Sequence, residues 1–152
     1  GLVLALNIPL VGISTLETEA YPYSQNPGPI CPVLEAGRED VAWAWFEGGQ
    51  DTWRKTRGEE VVPFQQLIEE TPQGATLCGE VLMSRGTELK EALEGRANIL
   101  EYQGQAPRLA ALAKLGAWKL AEGAHDDPAA LQPLYLRRPS ITKANPPTRI
   151  RY

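Results

Sequence analysis

The sequence predicts an α/β domain on a mixed sheet, with elements from Pro29 onward in the order β-β-β-α-β-α-β-α. Two observations predict it. The first is Ile30 to Glu47, which reads as a β-hairpin. Ile30 to Leu34 is an apolar run suited to a central strand buried on both faces. Glu35 to Asp40 interrupts it with charge and one glycine, the composition of a turn. Val41 to Phe46 then places Val41, Trp43 and Trp45 on one face and Ala42, Ala44 and Phe46 on the other. The second observation is that, beyond a third strand, short apolar runs alternate with amphipathic stretches, which is how helices come to cover a sheet.

Each element follows from local signals. Gly1 to Asn7 reads as the end of a helix, with Asn7 as terminator and Pro9 preventing continuation. Ile8 to Ile13 reads as a strand, apolar on both faces. Ser14 or Thr15 can cap a helix from Leu16, with Glu17 as the favourable acid of its first turn. Tyr21 to Pro29 carries three prolines and a glycine and reads as a linker. Asp51 to Thr56 is a third strand, and Glu59 to Val62 continues extended. Pro63 suits the first turn of a helix carrying Phe64, Leu67 and Ile68, which Thr71-Pro72-Gln73-Gly74 ends. Ala75 to Gly79 is a strand, and Ser84 to Leu93 a helix with Leu89, Ala92 and Leu93 inward. Ala97 to Tyr102 is a strand. Pro107 to Glu122 is a helix whose Leu109, Leu112, Ala113, Gly116 and Leu120 keep the 3.6 period, with Gly123 past its end. Pro128 to Leu136 is an irregular return.

This order is that of a ribonuclease-H-like half of the actin/sugar-kinase/Hsp70 type. The opening helix-strand-helix does not fit inside that unit. Residues 1–24 are therefore expected to be the remnant of a preceding half, 25–138 the domain, and 139–152 a basic, Pro-rich tail. The chain begins at Gly1 and its only methionine is Met83, so a processed product or a piece of a longer protein is expected. Ile8 to Ile13 would find its sheet neighbours upstream, and residues 1–20 are expected to self-associate or stay poorly ordered without them.

Composition narrows the function classes. At 43% hydrophobic and 22% charged residues the chain can bury a core. No apolar run approaches the roughly 20 residues that span a bilayer, and no signal peptide is visible. The net charge of −4 conceals a tail with Arg137, Arg138, Lys143, Arg149, Arg151 and no acid. That tail reads either as a solvated terminus or as a contact for RNA or an acidic partner. Cys31 and Cys78 both fall in expected strands and read as buried, reduced thiols. The single histidine, His125, precedes Asp126-Asp127-Pro128 and reads as helix-end punctuation; with no CxxC, neither a zinc site nor a metallopeptidase is expected.

Three stretches carry a resemblance. GLVLALNIPLVGISTL at Gly1 to Leu16, PVLEAGREDVAWAWF at Pro32 to Phe46 and LYLR at Leu134 to Arg137 occur in the order and spacing of three family segments. The chain resembles the TsaB (YeaZ) family, the non-catalytic relatives of the Kae1/TsaD proteins. The departures are Glu35 where the family usually has Asp, Asp40 where Glu is common, and Ala42 where Tyr is common. The family's Gly-rich N-terminal half would precede Gly1. The resemblance implies a cytoplasmic, non-enzymatic subunit that supports a TsaD-like enzyme in making threonylcarbamoyladenosine next to the anticodon. A TsaE-like ATPase would join the assembly, tRNA would be met only indirectly, and no cofactor or membrane would be involved.

The hairpin turn is the candidate site. Sugar kinases of this fold hold phosphate at the equivalent turn, but here three acids surround one arginine and no hydroxyl is present. Carboxylates repel phosphate unless a metal intervenes. The turn reads either as an exposed ion-paired loop or as a partner contact involving Glu35, Arg38, Asp40 and Trp43, since arginine beside tryptophan is common in interface anchors. The alternative function class is an ATP-dependent kinase or hydrolase of the same fold.

Overall fold

The computed structural model describes residues 2–49 and 52–136. The tail's Arg137, Arg138, Lys143, Arg149 and Arg151, and with them residues 139–152, lie outside the described residues. The expected hairpin forms the middle of the sheet. Strand β1 (Ile30–Glu35) pairs antiparallel with β2 (Asp40–Glu47), Ile30 opposite Phe46 and Glu35 opposite Val41. The Ala36 amide closes the turn by donating to the Asp40 carbonyl at 3.1 Å. Strand β3 (Arg54–Pro63) adds antiparallel to β2, with register shifts around Trp45. On the other side β4 (Ala75–Cys78) lies parallel to β1, and β5 (Ala97–Ile99) parallel to β4. The described sheet runs β3-β2-β1-β4-β5. Its central strands are buried on both faces, which is why Ile30–Val33 and Ala75–Cys78 read as unbroken apolar runs.

Alternate residues of β2 feed two cores. Val41, Trp43 and Trp45 pack with Phe64 and Leu67 of α3 (Phe64–Glu70) and Val81, Leu89 and Leu93 of α4 (Val81–Leu93). Ala44 and Phe46 face the opposite side, with Ile30, Cys78 and the buried Leu16 and Ala20 of α2 (Thr15–Ala20). Ser14 caps α2, its hydroxyl accepting from the Glu17 amide at 3.3 Å. A 3₁₀ turn, Tyr21–Tyr23, follows. Helix α5 (Ala106–Ala121) packs on α2 and this turn. Gly79 joins β4 to α4 at φ +114°, and a Cβ there would lie 2.3 Å from the Val33 carbonyl oxygen, so no other residue fits.

Several expectations change. A short helix α1 (Leu2–Leu6) ends at Asn7, whose φ is +49°, as anticipated. Ile8 to Ile13, however, joins no strand among the described residues. Its backbone pairs instead with the loop after α5: the Leu10 carbonyl accepts from the Asp126 amide, and the Gly12 amide donates to the Asp126 carboxylate, both at 2.7 Å. The third strand is one continuous element from Arg54; the expected start at Asp51 lies outside the described residues. Helix α4 begins three residues earlier than expected and leaves Ala92 exposed, while β5 stops at Ile99.

The largest difference is the rotation of α5. The stripe Leu109, Leu112, Leu120 is exposed, and the buried residues are Ala111 and Leu115. Charged contacts accompany this orientation. Arg108 and Lys119 flank Ala111 and Leu115 on the inward face and reach Glu19 and Glu17 of α2 at 3.5 and 3.1 Å. Apolar periodicity alone selected the other face. A Cβ on Gly116 would meet only Val11, at 4.0 Å, so this glycine is not held by close approach.

Candidate functional site

The hairpin turn leans on the first turn of α4 and forms a cleft of about 530 Å³. Glu35, Arg38 and Asp40 line it from the turn, Ser84 and Arg85 from the helix. Glu35 stands at the end of β1, where its carboxylate accepts from the Ser84 hydroxyl at 3.2 Å. Arg85 is occupied: its guanidinium makes two hydrogen bonds to Glu88, at 2.8 and 3.0 Å, and lies over the Phe64 ring. Those bonds hold the Glu88 carboxyl below its ordinary range. Arg38, at the turn's tip, makes no side-chain hydrogen bond or ion pair among the described residues. The cleft thus offers one uncommitted cation beside two carboxylates, a poor cradle for phosphate and a mixed-charge surface able to meet a partner's charged groups.

Three of the four sequence-derived site residues meet here and the fourth does not. Trp43 is fully buried beneath the sheet, its ring covered by Arg57 at 4.7 Å. Arg57 is itself held by Glu60 at 2.6 Å and by Glu70, and the Glu70 carboxyl is pushed down first by its hydrogen bond from Arg57 and then by that from Gln66. Trp43 supports the hairpin from inside and shares no surface with Arg38. Ser84 and Arg85, which complete the cleft, carry no local signal in the sequence; only the parallel β1–β4 pairing brings them to the turn.

The sequence marks Glu17 only as a first-turn acid and gives no sign that it and Glu19 pair with cations of α5. Glu19 is 6% exposed; burial pushes its carboxyl above the ordinary value, and Arg108 pulls it partly back. Glu17 accepts from the Trp53 indole at 3.2 Å and pairs with Lys119. His125 lies in the loop after α5, its Nδ1 3.1 Å from the Gly123 carbonyl. The carboxylates beside it are taken by backbone amides, Asp126 by Gly12 and Asp127 by Ala129 at 2.8 Å. Among the described residues no group of three or more His, Cys, Asp or Glu side chains could hold a metal ion, and no helix is long and apolar enough to cross a membrane.

A family model described as TsaD, tRNA N6-adenosine threonylcarbamoyltransferase, matches residues 1–144. No curated protein matches the chain significantly. Among solved structures, an uncharacterised protein with similarity to the peptidase YeaZ from Pseudomonas aeruginosa superimposes with a TM-score of 0.63 at 21% identity, over 90% of this chain and 63% of that one. YeaZ from Pseudomonas aeruginosa gives 0.58 at 20% identity, over 90% and 62%. At these identities the likeness establishes the fold, the ribonuclease-H-like architecture expected from the order of elements. The chain spans less than two thirds of either structure's length.

Proposed function

Since the chain belongs to the TsaD family, and its fold is that of YeaZ, we propose that it is a supporting subunit of a tRNA threonylcarbamoylation system rather than the transferase. It docks on a TsaD-like catalytic subunit, with a TsaE-like ATPase in the same assembly, and meets tRNA only through those partners. The family match over residues 1–144 supports a place in this system, and the likeness of fold to YeaZ supports the accessory role within it. The chemistry of the turn agrees with it. Glu35, engaged by Ser84, and Asp40 flank the uncommitted Arg38, an arrangement suited to a salt-sensitive protein contact rather than to phosphoryl transfer. The system's place is the cytoplasm, where its tRNA substrate is.

The test is reconstitution. The full chain is added to a TsaD-like enzyme with its ATPase partner, and threonylcarbamoyladenosine in tRNA is measured. The expected result is stimulation by the chain and loss of about tenfold in partner affinity for Arg38→Glu. Nucleotide binding and hydrolysis by the chain alone, with no effect on the partner enzyme, would replace this reading with that of an ATP-dependent kinase or hydrolase. Chelator-sensitive cleavage of a glycoprotein would replace it with a peptidase.

A further inference from the structure

On the face of the domain away from the Arg38 cleft's helix α4, a cavity of about 400 Å³ opens between the 3₁₀ turn, the start of β3 and the end of α5. Tyr21, Trp53 and Trp118 supply its aromatic walls, Glu122 its charge, and Ser24 and Thr52 neutral polar groups. The volume lies within the roughly 300–1,000 Å³ of ligand sites. Two of these aromatic walls are fixed from behind. Trp53 stacks on Phe46 with centroids 5.0 Å apart and planes 3° from parallel, its indole N–H is held by Glu17, and Tyr21 meets it edge-on at 5.4 Å. The loop beside Ser24 is equally constrained, because a Cβ on Gly48 would lie 2.0 Å from the Ser24 carbonyl oxygen.

The electrostatics select the occupant. Indole and phenol faces are negative and attract cations. The Glu122 carboxylate has no hydrogen bond or ion pair among the described residues. It stands at the C-cap of the 16-residue α5, where the helix dipole is negative. Neighbouring cations are already spent, Lys119 on Glu17 and Arg54 on Glu47 at 2.7 Å. No cation lines the cavity among the described residues, so an anionic group would find no counter-charge there. We infer that this cavity binds an organic cation, a guanidinium or alkylammonium group, seated against Trp53 and Trp118 with Glu122 as its counter-charge.

Two sources carry that chemistry: the five cations of the chain's own residues 137–152, and a basic side chain of a second molecule. The test titrates the full chain with N-acetylarginine amide and with its neutral isostere N-acetylcitrulline amide, reading tryptophan fluorescence. Trp43 and Trp45 are buried in the other core and form a constant background, so a change reports Trp53 and Trp118. A saturable change with the arginine probe alone, weakened about tenfold in Trp118→Ala and in Glu122→Gln, is the expected result. Trp118 is 41% exposed and Glu122 is exposed, so both variants keep the parent's thermal midpoint; if Trp118→Ala unfolds, Glu122→Gln decides alone. Replacing Arg137, Arg138, Lys143, Arg149 and Arg151 together by Gln distinguishes the sources: tighter probe binding identifies the chain's own tail, unchanged binding a second molecule. An equal response to the citrulline probe, no saturation, no effect of Glu122→Gln, or displacement of the arginine probe by a short single-stranded RNA stacking on the same rings would overturn the inference.

Discussion

Cys31 and Cys78 lie one register step apart on neighbouring parallel strands, yet their side chains enter opposite cores. Cys31 pairs with Leu77 and Cys78 with Pro32, and the Cys78 thiol donates toward the Cys31 carbonyl at 3.8 Å and the Glu19 carbonyl at 3.6 Å. Cys31 packs with Trp43 and the helices α3 and α4, Cys78 with Phe46 and α2. The parallel pairing of β1 with β4 makes the two residues neighbours; the strand's alternation of faces separates their sulfurs.

Both thiols are therefore expected to be free and slow to react. Each is buried, and burial pushes each thiol well above its ordinary pKa, so little thiolate is present near neutrality. Mass spectrometry after alkylation should find no label in the native chain within minutes and two labels in the unfolded chain. A disulfide in the unfolded chain, or rapid native labelling, would contradict this placement.

Gly79→Ala should cost about 2–4 kcal/mol in urea unfolding, because it adds left-handed strain to a direct collision with the Val33 carbonyl. Gly58→Ala is the control: its Cβ would meet nothing within 4 Å, and its midpoint should barely move. Equal effects of the two changes would mean that β4 can withdraw from β1 at no cost.

The hairpin and the order of its neighbours were legible because two-sided burial and face alternation leave a local record. Ile30–Val33 is apolar throughout, and Val41, Trp43 and Trp45 do share one core. What was not legible depends on partners distant in sequence. Ile8 to Ile13 has the composition of a strand, but its hydrogen bonds go to Asp126. The α5 periodicity points to Leu109 and Leu112, whereas the observed inward face carries Ala111 and Leu115 with Arg108 and Lys119, which meet acids on α2 about 90 and 100 residues earlier. The candidate cleft was half legible. Glu35, Arg38 and Asp40 belong to one turn, but Ser84 reaches it only through tertiary packing, and Trp43, a partner-contact candidate by its place beside the turn, points from its strand position into the core.

Helix α2 is expected to be necessary for folding of the sheet. Leu16 is 2% and Ala20 0% exposed, and both cover Ile30, Phe46 and Cys78. Leu16→Ala should cost about 2–5 kcal/mol. Deleting residues 1–24 should uncover that apolar face and abolish the cooperative unfolding transition, with dye binding typical of a loosely packed state. A shortened chain that unfolds cooperatively at the parent's midpoint would show that residues 25–136 form the domain alone.

The burial of Glu19 should make stability depend on pH in an unusual direction. Burial is the largest influence on Glu19 and raises its pKa; Arg108 opposes it by charge and hydrogen bond, and the negative Glu80 adds to the rise. A carboxyl harder to ionise in the folded chain than in the unfolded one favours folding while it is protonated. That contribution is complete below the unfolded-chain value and is lost as pH rises through the folded one. Glu19→Gln should therefore be more stable than the parent near neutral pH, by a few degrees in thermal midpoint, and the gap should close by about pH 4. Arg108→Ala should do the reverse near neutrality, leaving the Glu19 charge 6% exposed without its partner, and its effect should also fade in acid as Glu19 takes up a proton. Thermal unfolding of the parent, both single variants and the double variant at the two pH values measures this directly. A destabilised Glu19→Gln near neutrality would mean that the 3.5 Å pairing with Arg108 outweighs the desolvation of Glu19.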